Sequence, residues 1–142
     1  MGQIGSAKLS LPVLKLSEVI AGSQRLPLSA PTENPFIIVG SRSHATPELE
    51  AFVDAKRREF ATVTFIPAGS PLKFCMVAEG RAAIYPRMGH TMEWDTVAGQ
   101  AIVTCAGARV VKYDTDIPLE CNKKTLGNLW FIVAGGTGNQ FV

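Results

Sequence analysis

The sequence predicts a three-layer α/β domain, a sheet flanked by helices. Continuous apolar runs of strand length alternate with helix-periodic segments, and the junctions carry Gly, Pro and Ser turn chemistry. At 142 residues, the chain is long enough for one hydrophobic core and short for two. The reading divides it into a lead-in over 1–34 and a domain over 35–142.

In the lead-in, Leu9 to Leu16 alternates like a strand but is broken by Pro12. Pro27, Pro31 and Pro35, with Ser, Ala and Asn between them, read as linker. Pro35 to Ser41 is an apolar run ending in Gly and Ser, a buried strand with a functional loop at its carboxyl end. Thr46-Pro47 supplies an N-cap with Pro at the first helical position, and that helix runs to about Arg58. Ala61 to Ile66 is a second strand, closing on the turn Pro67 to Ser70. Leu72 to Glu79 is a short helix capped by Gly80, and Ala82 to Tyr85 is a third strand.

A loop over 86–93 then leads to a helix opened by Asp95, placed as its N-cap or first residue. Val97, Ala98, Ala101, Ile102 and Cys105 recur at helical spacing, which predicts an apolar face packed inward. Gly107 stops that helix, and Arg109–Tyr113 and Leu129–Ala134 read as two further strands.

Composition excludes several classes. The hydrophobic fraction of 46% and mean hydropathy of +0.17 describe an ordered chain with a small apolar surplus, which fits a domain without its partner. A formal net charge of +2 gives no basis for binding a nucleic-acid polymer or a membrane surface. Lys56-Arg57-Arg58 is read as a solvated helix face. The three cysteines, Cys75, Cys105 and Cys121, form no C-x-x-C, so neither a disulfide framework nor a zinc site is expected, and a reducing cytoplasm is the expected setting. No signal-peptide pattern opens the chain, and no apolar run approaches the ~18 residues of a transmembrane segment.

The positions that can carry chemistry cluster at predicted strand ends and helix starts. Asp95 fits either a plain cap or a carboxylate for a hard divalent cation beside a phosphate. Ser70 and Lys73 stand three apart at a helix start, where hydroxyl, ammonium and helix N-terminus suit an anion; an ordinary cap with a snorkelling Lys is the other reading. Arg87 lies just beyond the third strand, where its planar fork suits a phosphate, or it is a surface Arg. His44 is a loop residue, either solvated or a ligand contact. Glu93 fits a water-orienting group or an exposed residue equally well, and Trp94 is expected to pack behind Asp95.

Three stretches, Gly40-Ser-Arg-Ser-His44, Ala68-Gly-Ser-Pro-Leu-Lys-Phe-Cys through Tyr85-Pro-Arg87, and Thr91-Met-Glu-Trp-Asp-Thr-Val-Ala-Gly99, together resemble the inositol monophosphatase superfamily. Within it they resemble most the CysQ-type 3′(2′),5′-bisphosphate nucleotidase branch. The likeness runs from about Pro35 to about Ala134. It implies a mixed, largely parallel sheet, and it implies that the chain corresponds to the C-terminal, substrate-binding half of the fold.

The family's N-terminal domain, with its Asp-Pro-(Ile/Leu)-Asp-Gly-Thr metal signature, has no counterpart here. No Asp-x-x-Asp-Gly-Thr occurs, and Asp and Glu total 12. The implied partner is that missing domain or a chain carrying it. The implied reaction is hydrolysis of adenosine 3′,5′-bisphosphate to AMP and phosphate at a multi-Mg²⁺ centre supplied mostly by the missing domain. Asp95 is implied as one metal ligand and a substrate contact. His44, Ser70, Lys73 and Arg87 are implied as contacts to the nucleotide, and no catalytic residue is expected on this chain, which is expected to be inactive alone.

Departures from the family pattern are Pro71 for Ser, Ala83 for Asp, His90 for Pro and Ala108 for Gly. The alternatives are an inositol- or sugar-phosphate phosphatase fragment, and a non-catalytic nucleotide-binding or scaffold module.

Overall fold

A computed structural model describes residues 15–30, 34–41 and 46–136. The elements are α1 (Leu16–Gly22), β1 (Phe36–Gly40), α2 (Pro47–Glu59), β2 (Val63–Pro67), α3 (Ser70–Ala78), β3 (Ile84–Arg87), β4 (Thr91–Met92), α4 (Glu93–Cys105), β5 (Arg109–Lys112), β6 (Gly127–Asn128) and β7 (Phe131–Ala134).

A five-stranded sheet runs in the order β2-β1-β3-β7-β5, and β4 pairs with β6 separately. β1 is parallel to β2 and β3, whereas β7 is antiparallel to both β3 and β5. The expected mixed sheet with a parallel core is present.

Both faces of that sheet are covered, which is why its strands are apolar at successive positions. Along β7, Phe131 and Val133 enter one core, Ile132 and Ala134 the other. The first core also holds Val39 of β1, Phe74 and Val77 of α3, Tyr85 of β3 and Val103 of α4. The second holds Phe36 and Ile38 of β1, Ile84 of β3, and Leu49 and Val53 of α2. The layers are therefore α2, sheet, and α3 with α4, as the sequence predicted.

The α2 boundary matches expectation. Thr46 is the N-cap, its hydroxyl accepting from Leu49 N at 3.3 Å, with Pro47 at the first position. Gly80 follows α3 at φ +79°, the left-handed conformation that suits glycine. The third strand begins and ends two residues later than expected, at Ile84 and Arg87, because it takes its register from β7 through Arg87↔Phe131. The segment read as linker packs against the fold in part. Leu26 lies against the first core, and Leu28 N donates to Glu79 O at 3.1 Å. Leu16 begins α1 rather than ending a strand; residues 9–14 of the predicted strand lie outside the described residues.

The inward face of α4 differs from expectation. Val97, Ala98, Ala101, Ile102 and Cys105 are all exposed, while Glu93, Thr96 and Val103 are buried. Periodicity found an apolar stripe, but two other stabilising arrangements decide which side faces in. Thr96 and Glu93 are satisfied by polar partners, and Gly99 lets the helix backbone cross α3 closely. A Cβ at Gly99 would stand 2.5 Å from the Cγ of Phe74. Phe74 is wedged against Tyr85 and Phe131, with ring centroids 5.4 and 6.2 Å away, and has little room to yield.

Helix propensity alone favours Gly99→Ala by about 1 kcal/mol. Overpacking this crossing costs about 1–3 kcal/mol. Gly99→Ala is therefore expected to lower the thermal midpoint, read by circular dichroism. A raised midpoint would show that the crossing is looser than the geometry says.

Candidate functional site

The three parallel strands β2, β1 and β3 end along one edge of the sheet. Their outgoing ends are Pro67, Gly40 and Arg87, with Gly40 in register with Pro67. α3 and α4 both begin from that edge, α3 three residues after Pro67 and α4 shortly after Arg87. The carboxyl edge of a sheet, faced by helix N-termini, is the usual ligand position in α/β folds. Ser70, Arg87 and Asp95 all reach this edge, with Lys73 in the first turn of α3. His44 lies outside the described residues.

Ser70 is the first residue of α3, preceded by Gly69 as N-cap. Lys73 does not snorkel: it is 3% exposed. Its Nζ donates to Ala68 O at 3.2 Å and sits 5.2 Å from the centre of the Tyr85 ring. Burial, and secondarily the charge of Arg87, push its pKa below the ordinary lysine value. Burial also pushes the Tyr85 phenol up to about 12, and Arg87 opposes that rise.

Arg87 is the last residue of β3 rather than a residue beyond it. Its Nη2 donates to His90 O at 3.2 Å. Its Nε is buried, and no acceptor among the described residues meets it. Lys73 and Arg87 thus form a pair of neighbouring cations, one of them with an orphaned donor. Such an arrangement fits an anion, because a buried donor left unmet costs about 1–3 kcal/mol.

Asp95 is neither N-cap nor first residue. Met92 is the N-cap, and Asp95 is the third helical residue, its Oδ2 accepting from Met92 N at 2.9 Å. The helix starts earlier than predicted because Glu93 N is held by Leu126 O at 2.9 Å. The carboxylate is exposed at the helix N-terminus. Trp94 is 64% exposed and does not pack behind it. Among the described residues, no group of three His, Cys, Asp or Glu could hold a metal ion. Asp95 offers a single ligand, so the residues present do not make up a Mg²⁺ centre.

The polar network behind Asp95 escaped the sequence reading. Glu93, 9% exposed, accepts Asn122 N at 2.7 Å, Lys123 N at 3.0 Å and Lys123 Nζ. Lys123 Nζ also donates to Glu120 O and to Asn128 Oδ1. Asn128 Nδ2 donates to Thr91 and Thr96 hydroxyls at 3.2 and 3.1 Å. This network pins the 120–128 segment to the first turn of α4. The Lys123 side chain and backbone hold the Glu93 pKa down, from 4.5 to about 2. The partners come from about thirty residues downstream, out of reach of local pattern; a carboxylate at the first position of a helix was the one local signal.

A depressed carboxylate pKa contributes stability that is fully present above the unfolded value and is lost as pH falls through the folded one. Glu93→Gln is therefore expected to lower stability at pH 7, and the gap from wild type should close between pH ~4.5 and ~2. Denaturant titrations across that range check this. A gap independent of pH would mean that shape rather than charge holds the segment.

Comparison with known proteins places this geometry among relatives. The model of the Inositol monophosphatase family matches residues 14–139. The 3′(2′),5′-bisphosphate nucleotidase CysQ of Escherichia coli (strain K12) is 49% identical over 76 residues, which are 54% of this chain and 29% of that protein. The crystal structure of CysQ from Bacteroides thetaiotaomicron superposes with a TM-score of 0.80 at 40% identity, covering 97% of this chain and 49% of that one. Inositol monophosphatase-II from Staphylococcus aureus MSSA476 superposes at 0.61 with 17% identity, over 83% of this chain and 42% of that one, a likeness of fold alone. This chain therefore spans half or less of the length of these relatives.

Proposed function

This chain belongs to the inositol monophosphatase family, and from that premise we infer that it is the C-terminal, substrate-binding part of a Mg²⁺-dependent, cytoplasmic 3′(2′),5′-bisphosphate nucleotidase. The reaction is hydrolysis of the 3′-phosphate ester of adenosine 3′,5′-bisphosphate, giving AMP and phosphate. Homologues named as such nucleotidases support the branch. The observation that carries the reading is the Lys73–Arg87 cation pair with its orphaned Nε. These cations bind the phosphate that is not hydrolysed and so hold the nucleotide in register at the sheet edge. Ser70 and His44 complete the nucleotide contacts. Asp95 contributes one ligand to a metal centre whose other ligands belong to the rest of the family fold.

The chain alone is expected to show no turnover of adenosine 3′,5′-bisphosphate with Mg²⁺, because one carboxylate does not assemble such a centre. A phosphate-release assay checks this. Rates in the ordinary enzyme range, about 1–1,000 s⁻¹, would overturn it.

Lys73→Met and Arg87→Met are each expected to weaken binding of adenosine 3′,5′-bisphosphate about ten- to hundredfold, the worth of one charge-assisted contact. Adenosine, which has neither phosphate, should bind with unchanged affinity. Calorimetric titration of both ligands separates these outcomes. Equal weakening for both would remove the phosphate-reading role.

The lack of a metal-holding group among the described residues favours one second reading, a nucleotide-binding module without chemistry. Tight binding that persists without turnover, even when the rest of the family fold is supplied, would favour it. Preference for an inositol or sugar phosphate over the bisphosphate would favour the other branch of the family.

A further inference from the structure

A cleft of about 510 Å³ lies against His90, the residue whose backbone oxygen accepts Arg87 Nη2. A volume of that order is in the range of small-molecule sites. Lys112, Tyr113 and Thr115, at the end of β5, form one wall, and Leu129 and Trp130, on the approach to β7, form the other. Tyr113 and Trp130 are 37% and 39% exposed, so both offer ring surface to the cleft. Their centroids stand 6.0 Å apart with the planes at 68°. Stacked rings would cover each other's faces, whereas rings that meet in a corner leave a face open.

The corner is rigidly mounted. Tyr113 N donates to Trp130 O at 2.8 Å, and Phe52 of α2 backs the Tyr113 ring with centroids 6.4 Å apart. The chain leaves Tyr113 through Asp114 at φ +58°, a turn that the Thr115 hydroxyl ties to Lys112 O at 2.9 Å. On the other wall, the neighbouring Asn128 is buried and held by the hydroxyls of Thr91 and Thr96. Aromatic rings fixed in advance lose little conformational freedom on binding.

Charge decides which ligand such a corner takes. Ring faces attract an ammonium group as well as another ring. Lys112 lines this cleft, however, and Arg87 is two strands away, in register through Phe131. Two strand spacings are about 10 Å, so both cations oppose an ammonium guest. A neutral planar ring meets no such opposition. We propose that the cleft is a second ligand site, for a planar heteroaromatic ring of the nucleobase class stacked on the Tyr113–Trp130 corner. It is separate from the Lys73–Arg87 anion site and does not rest on the nucleotidase reading.

The test uses the full 142-residue chain with Trp94→Phe, which leaves Trp130 as its one indole. The probes are adenosine, a ring without charge, choline, a cation without a ring, and inositol, which is neither. Adenosine is expected to quench Trp130 emission saturably, and choline and inositol to leave it unchanged. Tyr113→Ala should weaken adenosine binding about tenfold, the worth of one base–aromatic stack, and Tyr113→Phe should restore it. Trp130→Ala, followed by calorimetry, should weaken it by a similar factor. Leu129→Arg, at a position 65% exposed, fills the cleft from its rim and should weaken binding even if the ring deletions fail to fold. Lys73→Met and Arg87→Met should leave adenosine binding unchanged.

The absence of saturable quenching would overturn the proposal, as would a choline response equal to that of adenosine. Loss of adenosine binding in Arg87→Met would also overturn it, by showing a single site that spans both places. Intact adenosine binding beside failed recognition of the bisphosphate's phosphates leaves the cleft standing and removes the anion-site reading instead.

Discussion

The crossing of α3 and α4 at Gly99 and Phe74 fixes the rest of this molecule. One ring joins two helices to the sheet. Phe74 sits on α3, fills the space left by the missing Gly99 side chain on α4, and packs against Tyr85 and Phe131 of the sheet. Lys73 is its sequence neighbour, and its ammonium lies over the same Tyr85 ring. Asp95 stands one helical turn before Gly99. The distance between the two helix starts, and with it the shape of the sheet edge, therefore follows from a contact that carries no charge at all. Interiors packed at crystal density transmit such a constraint without slack.

Around that apolar pivot the charges are arranged in two opposite ways. Glu93 is neutralised within the fold by Lys123 and two backbone amides, so it spends its charge on holding the chain together. Lys73 and Arg87 raise each other's electrostatic cost, and the buried Nε has no acceptor. A balanced cluster is what stability selects; an unbalanced one is a candidate for a role beyond stability.

Much of this was legible in the sequence, wherever a local rule had no rival. The Thr46-Pro47 helix start, the apolar run of β1 and the glycine after α3 each follow from geometry within a few residues. The motifs drew Ser70, Lys73, Arg87 and Asp95 to one edge of the sheet, which is where the topology puts three of them directly and the fourth within a turn. The failures are equally specific. Asp95 moved from cap to third residue because Leu126, far along the chain, holds the backbone of Glu93. The inward face of α4 was misassigned because hydrophobicity counts side chains, whereas Gly99 packs by having none and Thr96 by hydrogen bonding. Trp94 was expected to pack behind Asp95 and is exposed instead. For the helix start and the α4 face a long-range partner outvoted a local pattern, and local pattern carries no information about such partners.

The strand order has a consequence for how this chain comes together in time. β5 is joined to the sheet only through β7, and β7 lies between β3 and β5 although it is the last of the five strands to be made. During synthesis, β5 therefore emerges with only the 117–119 segment to pair with, and β3 keeps an open edge of Ile84, Tyr85 and Pro86. Both wait until Phe131 to Ala134 arrive and join them in one event. Pairing that depends on a late segment raises the sequence separation of the decisive contacts, which slows folding and leaves apolar edges open longer. Pro86 on that waiting edge lacks an amide to offer to a stray strand, a guard written into the same Tyr-Pro-Arg stretch that ends at Arg87.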